Sequence, residues 1–96
     1  MGIRVEVRLL GVFRGLAGID RLSLEVKGSN VKNVIRVLAG SFPTEAKRLL
    51  IDADLGDPRP NTLILLNGRE ISVLNGLATE VADGDEITLI PVVHGG

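Results

Sequence analysis

The apolar residues of this chain repeat every second position near its start. They repeat every three to four positions from Val31 and return to a strand-like pattern at Thr62. That change of period constrains the fold more than any single motif does. Ile3, Val5, Val7 and Leu9 alternate with Arg4, Glu6 and Arg8. Such a segment has one apolar and one wet face, which predicts a half-buried strand. Leu22-Ser23-Leu24-Glu25-Val26 repeats the pattern, so the first two strands are expected to form a hairpin with a long loop. That loop, Gly11 to Asp20, contains Gly11, Gly15 and Gly18 and is read as irregular, with Phe13, Leu16 and Ile19 packed beneath it. Val31, Val34, Ile35 and Leu38 then occupy one face of an amphipathic helix. Asn30 is its expected N-cap and Gly40 its C′ residue.

A short second helix is expected over Thr44 to Leu50, with Thr44 as cap and Glu45 in the first turn, where the helix dipole favours an acid. Asp52 to Asn61 carries Gly56, Pro58 and Pro60 and is read as a loop. Thr62 to Leu66 is an apolar strand. Asn67-Gly68 is a strong hairpin signal, so Glu70 to Val73 is read as the returning strand. Leu74 to Leu77 is read as a tight helical turn, Asp83-Gly84-Asp85 as a turn, and Ile87 to Val92 as the last strand. Pro91 has no N–H to give to a ladder, so pairing is expected to weaken there and the chain to leave the sheet.

The order ββαβ(β)β predicts an α+β fold: a mixed four- to five-stranded sheet packed on one main helix. We expect a single domain over residues 1–92 and a flexible diglycine tail over 93–96. A last strand lying in the middle of the sheet would hold that tail rigidly at its base.

Composition narrows the function classes. Ninety-six residues suffice for one core. Aromatics are only 2%, Phe13 and Phe42, so the core must be built from Val, Leu, Ile and Ala. With no cysteine there is no disulfide, no thiolate metal site and no cysteine nucleophile. Eleven basic and twelve acidic residues are interspersed, which is not the basic footprint of a nucleic-acid binder. No apolar run reaches membrane-spanning length, and no basic-plus-apolar leader is expected before the first strand. These features predict a soluble cytoplasmic protein with no nucleic-acid or membrane partner.

The sequence ends Pro91-Val92-Val93-His94-Gly95-Gly96. A carboxylate on two glycines has no side chain beside it and can thread a narrow catalytic groove where a Cβ would clash. The reagent would then be the chain terminus itself. Twelve glycines in ninety-six residues place Gly-Gly last in about one random chain in sixty-four. The ending therefore becomes informative only when joined to a compact domain that holds it out.

The ordered set of Phe13-Arg14-Gly15-Leu16-Ala17-Gly18, the Asn30–Leu38 helix, Leu66-Asn67-Gly68-Arg69-Glu70-Ile71, Val81-Ala82-Asp83-Gly84-Asp85-Glu86-Ile87 and Gly95-Gly96 resembles the ubiquitin-like β-grasp sulfur carriers. Among these it is most similar to the molybdopterin synthase small subunit. The His94-Gly95-Gly96 end is more like that of the ubiquitin-related modifiers, and the Pro-Pro-Val-Ser-type lead usual in small subunits is absent.

The resemblance implies that Gly96 is adenylated by an E1-like partner with ATP and Mg²⁺ and converted to a thiocarboxylate by a sulfur-donating persulfide protein. This chain would bind no cofactor itself, and it has no nucleotide-binding fingerprint. It would be the carrier subunit of a two-protein synthase, with no complete active site of its own. The large subunit would take the tail for molybdenum cofactor biosynthesis. Gly95 lets the tail pass, while Pro91, Val92, Val93 and His94 form the neck that partners grip in extended form. His94 is read as a solvated neck residue in preference to an acid or base.

The alternatives are a ubiquitin-like modifier joined to lysines, with Lys27, Lys32 and Lys47 as possible chain-building sites, a sulfur donor for tRNA thiolation, and a β-grasp binding module with an incidental Gly-Gly. Two metal readings fail. A calcium loop counted from Asp52 has Gly56 at its fifth position and Leu63 where a bidentate Glu belongs. Asp83, Asp85 and Glu86 are already explained by turn chemistry.

Overall fold

A computed structural model describes residues 2–27, 30–50 and 62–92. The elements run β1 (Gly2–Leu9), α1 (Val12–Ala17), β2 (Arg21–Lys27), α2 (Val31–Ser41), α3 (Thr44–Leu50), β3 (Thr62–Leu66), β4 (Arg69–Glu70) and β5 (Glu86–Pro91), with 3₁₀ turns at Ile71–Val73 and Gly76–Ala78. The five strands form one sheet in the order β2-β1-β5-β3-β4. β1 and β5 are parallel and the other neighbours antiparallel, so the last strand lies in the middle of a mixed sheet.

The alternation in β1 and β2 sets the two faces of the sheet. Val5, Val7, Leu9, Leu24 and Val26 are buried with Ile64, Leu66, Ile87 and Leu89 against Val31, Val34, Ile35 and Leu38 of α2. Asn30 caps α2 as expected: its side-chain oxygen accepts from the Asn33 N–H at 3.0 Å. Replacing Asn30 by Ala is expected to cost about 1 kcal/mol. A urea midpoint indistinguishable from wild type would show that the cap contributes nothing.

Five local expectations are corrected. The Gly11–Asp20 segment contains helix α1, and only Phe13 within it is fully buried, whereas Ile19 is 47% exposed. Gly18, with φ 76°, closes α1 by donating its N–H to the Arg14 carbonyl at 3.0 Å. The helix exists because Phe13 packs with its ring centroid 6.4 Å from that of Phe42, and one apolar anchor in six residues leaves no readable period.

Gly40 does not end α2, which runs to Ser41. The stop comes from Pro43, whose ring disfavours helical geometry in the residue before it. Phe42 is accordingly extended at φ −84°, ψ 148°. Thr44 is the first residue of α3 and not its cap, although Glu45 lies in the first turn as expected.

The hairpin at Asn67-Gly68 forms, with φ 50° and 85° as a type I′ turn requires. The returning strand, however, stops at Glu70. The Glu70 carboxylate accepts from the Ser72 N–H at 2.8 Å and from the Ser72 hydroxyl, turning the chain into a 3₁₀ turn that buries Ile71. The next 3₁₀ turn covers Gly76–Ala78, a little later than the Leu74–Leu77 expected.

Candidate functional site: where the last strand leaves the sheet

β5 is fixed firmly at its start. Asp83 Oδ1 accepts from the Arg4 N–H at 2.8 Å, and the Gly84 N–H donates to the Arg4 carbonyl at 2.8 Å. Asp85 Oδ2 accepts from the Ala82 N–H at 2.8 Å, and Asp85 Oδ1 accepts from the Asn67 side-chain amide at 3.0 Å. The Asn67 side-chain oxygen takes the Glu86 N–H at 2.9 Å. The Asp-Gly-Asp-Glu run therefore joins β5 to β1 on one side and to the β3–β4 turn on the other. Asp83 and Asp85 are thereby engaged with backbone and with Asn67. Among the described residues no three His, Cys, Asp or Glu side chains converge on a metal site.

The far end of β5 is where the chain leaves the sheet. Leu10 donates its N–H to the Leu89 carbonyl at 3.1 Å, and Glu6 to the Asp85 carbonyl at 2.9 Å, so the odd residues of β5 direct their backbone groups toward β1. The next donor in that parallel ladder would be the nitrogen of residue 91, which is proline. On the other side Asn67 donates to Glu86 at 2.8 Å, so the pairs 65–88 and 63–90 exchange hydrogen bonds while Thr62–Pro91 does not. Pro91 therefore needs no N–H toward β3 and withholds one from β1. Thr62, opposite it, is only 2% exposed, and its hydroxyl has no partner among the described residues.

The face of the sheet opposite α2 is apolar beside this exit. Leu63, Leu65 and Ile90 lie on it half-buried, with Leu63 opposite Ile90 and Leu65 opposite Thr88. Val92 follows, 42% exposed. Farther along the same face, Arg8 and Arg21 approach Glu86 at 3.9 and 4.0 Å. These are exposed pairs of little energetic weight.

Of the residues singled out in sequence, Pro91 is thus the last of β5 and Val92 follows it. Val93, His94, Gly95 and Gly96 lie outside the described residues, as does the segment from Asp52 to Asn61 that holds the calcium-loop reading. Sequence reasoning allows an apolar sheet face beside the neck but does not name its residues. Its signal was present in Thr62-Leu63-Ile64-Leu65-Leu66, a strand apolar on both sides in a sheet with helices expected on only one. It also missed Gly11, which comes close to Pro91 only through folding.

Residues 7–96 match the sequence profile of the ThiS family. Small archaeal modifier protein 3 of Haloferax volcanii is 34% identical over 95 residues, spanning 98% of this chain and all of that protein. The sulfur carrier protein CysO of Mycobacterium tuberculosis is 31% identical over 94 residues, again 98% of this chain and 100% of the relative. The structure of a Pyrococcus furiosus protein described as a putative molybdopterin converting factor, subunit 1, superposes with a TM-score of 0.73 at 26% identity, covering 95% of this chain and 99% of that one. Among the described residues no helix is long and apolar enough to cross a membrane.

Proposed function

From membership of the ThiS family of ubiquitin-like β-grasp sulfur carriers, to which the chain belongs, we propose that Gly96 is the reacting residue and that its carboxylate carries sulfur. A carboxylate is a poor electrophile because its leaving group would be oxide. Transfer of AMP from ATP, with release of pyrophosphate, makes a mixed anhydride with a good leaving group. A persulfide then displaces AMP, and a thiol cleaves the resulting S–S bond to leave a thiocarboxylate. The activating partner supplies ATP, Mg²⁺ and the site for this chemistry.

One observation carries this reading. The strand leading to Gly95-Gly96 is the central strand, fixed at its start by Asp83, Asp85 and Asn67, and ending four residues before the diglycine. Val92, Val93 and His94 would be the neck that partners grip by backbone pairing. The outer face of Leu63, Leu65 and Ile90 gives those partners an apolar surface beside the neck. Leu65→Lys is accordingly expected to weaken binding of the activating enzyme about tenfold or more, as expected for a residue at the centre of an interface. Calorimetric titration measures this, and wild-type affinity would remove the face from the account.

For the acceptor we propose the molybdopterin precursor, with the synthase large subunit as second partner, a reading supported by the likeness to the Pyrococcus furiosus protein. The similarity to the Haloferax modifier over its full length favours a second reading, conjugation of Gly96 to lysines. Deleting the gene in native cells separates the two. Loss of molybdopterin, with no lysine adducts of this chain in wild-type lysate, is expected. Abundant adducts and undiminished molybdopterin would replace the first reading with the second.

A further inference from the structure

Gly11 meets Pro91 at the point where β5 ends. Its backbone, φ 56° and ψ −132°, lies where side chains are rarely tolerated. A Cβ added there would stand 2.8 Å from Pro91 Cγ and 3.3 Å from Pro91 Cδ. The two residues also end the same ladder. Leu10 makes the last β1–β5 hydrogen bond, to Leu89 at 3.1 Å, and the chain then turns away at Gly11 just where Pro91 has no donor to continue. The pyrrolidine ring lies on the side of Gly11 where a side chain would stand.

We infer that Gly11 is a positioning residue: the space left by its missing side chain admits the Pro91 ring and so keeps the chain on the course by which it leaves the sheet toward Gly96. The inference rests on the reading that Gly96 reacts, but it can be measured without that reaction. The contact makes no demand on the partner. The clearance at Gly11 keeps the base of the neck from being displaced, and misplacement by about 1 Å can cost two orders of magnitude in rate.

The test compares the wild type, Gly11→Ala and Gly11→Ala/Pro91→Ala. The second substitution in the double variant removes both Pro91 atoms that the new Cβ would strike, and it leaves the strained backbone at position 11 as in the single variant. Two quantities are read in each protein. One is the residual dipolar coupling of the Val92 N–H, which reports that bond's direction relative to the sheet. The other is carrier-dependent ATP–pyrophosphate exchange by the activating enzyme.

Gly11→Ala is expected to shift the coupling and lower kcat/KM by on the order of tenfold, with both returning toward wild type in the double variant. The melting midpoint should fall in both variants through the strained backbone they share, and further in Gly11→Ala, which alone keeps the clash. Equal impairment of both variants would mean that backbone strain and not the contact is responsible, and would overturn the inference. An unshifted coupling in Gly11→Ala would overturn it too. If the wild type supports no exchange, the proposed reaction fails instead, and the coupling alone decides the role of Gly11.

Discussion

Deletion of Gly96 is expected to abolish adenylation and sulfur transfer while leaving the melting transition unchanged. Without Gly96 the carboxylate moves back by one residue, roughly 3.5 Å of extended chain, and His94 becomes the neighbour of the new terminal residue. An activating site must bring the carboxylate and the α-phosphorus of ATP into contact in line. A displacement of several ångströms exceeds the misplacement that already costs about a hundredfold. The last strand ends at Pro91, five residues before Gly96, so the fold should not register its loss. Pyrophosphate exchange and calorimetric melting of the truncated chain measure both halves. Exchange above about a tenth of the wild-type rate would show that the carboxyl of Gly96 is not the substrate, since misplacement of this size should cost far more.

The second large effect is expected at Phe13. Among the described residues it is the bulkiest fully buried side chain, and its ring sits 6.4 Å from that of Phe42. Phe13→Ala should cost about 3–5 kcal/mol from lost transfer energy and the cavity left behind. In a domain of this size that is a large share of the usual 5–15 kcal/mol of total stability. The melting temperature should fall by about 15 °C or more. Ile19→Ala, at a side chain 47% exposed on the same connection, is expected to change stability by no more than about 0.5 kcal/mol. Urea denaturation of the pair checks the contrast, and equal effects at the two positions would mean that α1 does not anchor through Phe13.

Much of the fold could be read from residue types alone, and the reason is local. β1, β2 and α2 declare themselves because their apolar periods of two and about 3.6 run over several repeats. Asn67-Gly68 declares its turn because few other pairs accept two positive φ angles. What escaped reading depends on contacts distant in sequence. α1 holds through Phe13 on Phe42, twenty-nine positions away, and six residues with a glycine at their centre look like a loop. β4 stops short because the Glu70 side chain captures Ser72, a local event that competes with the ladder only once Ile71 has a core to enter.

The same division holds at the site. Pro91 was legible because it lacks a donor, and its place in the central strand accounts for why the ladder to β1 ends there. Gly11 was not legible, because nothing in a glycine at position 11 points to a proline eighty residues later. The outer face lay between the two cases. Leu63 and Leu65 were visible as apolar, but only the strand order places them beside Ile90 and next to the exit.

The most direct measurement is the intact mass of this protein purified from its native cells without reducing or alkylating steps. A species heavier by the exchange of one oxygen for one sulfur, assigned to Gly96 by fragmentation, is the result expected for a sulfur carrier. A chain whose Gly96 is found wholly as carboxylate or in amide linkage to lysine, even after accumulation in cells lacking the sulfur acceptor, would contradict it.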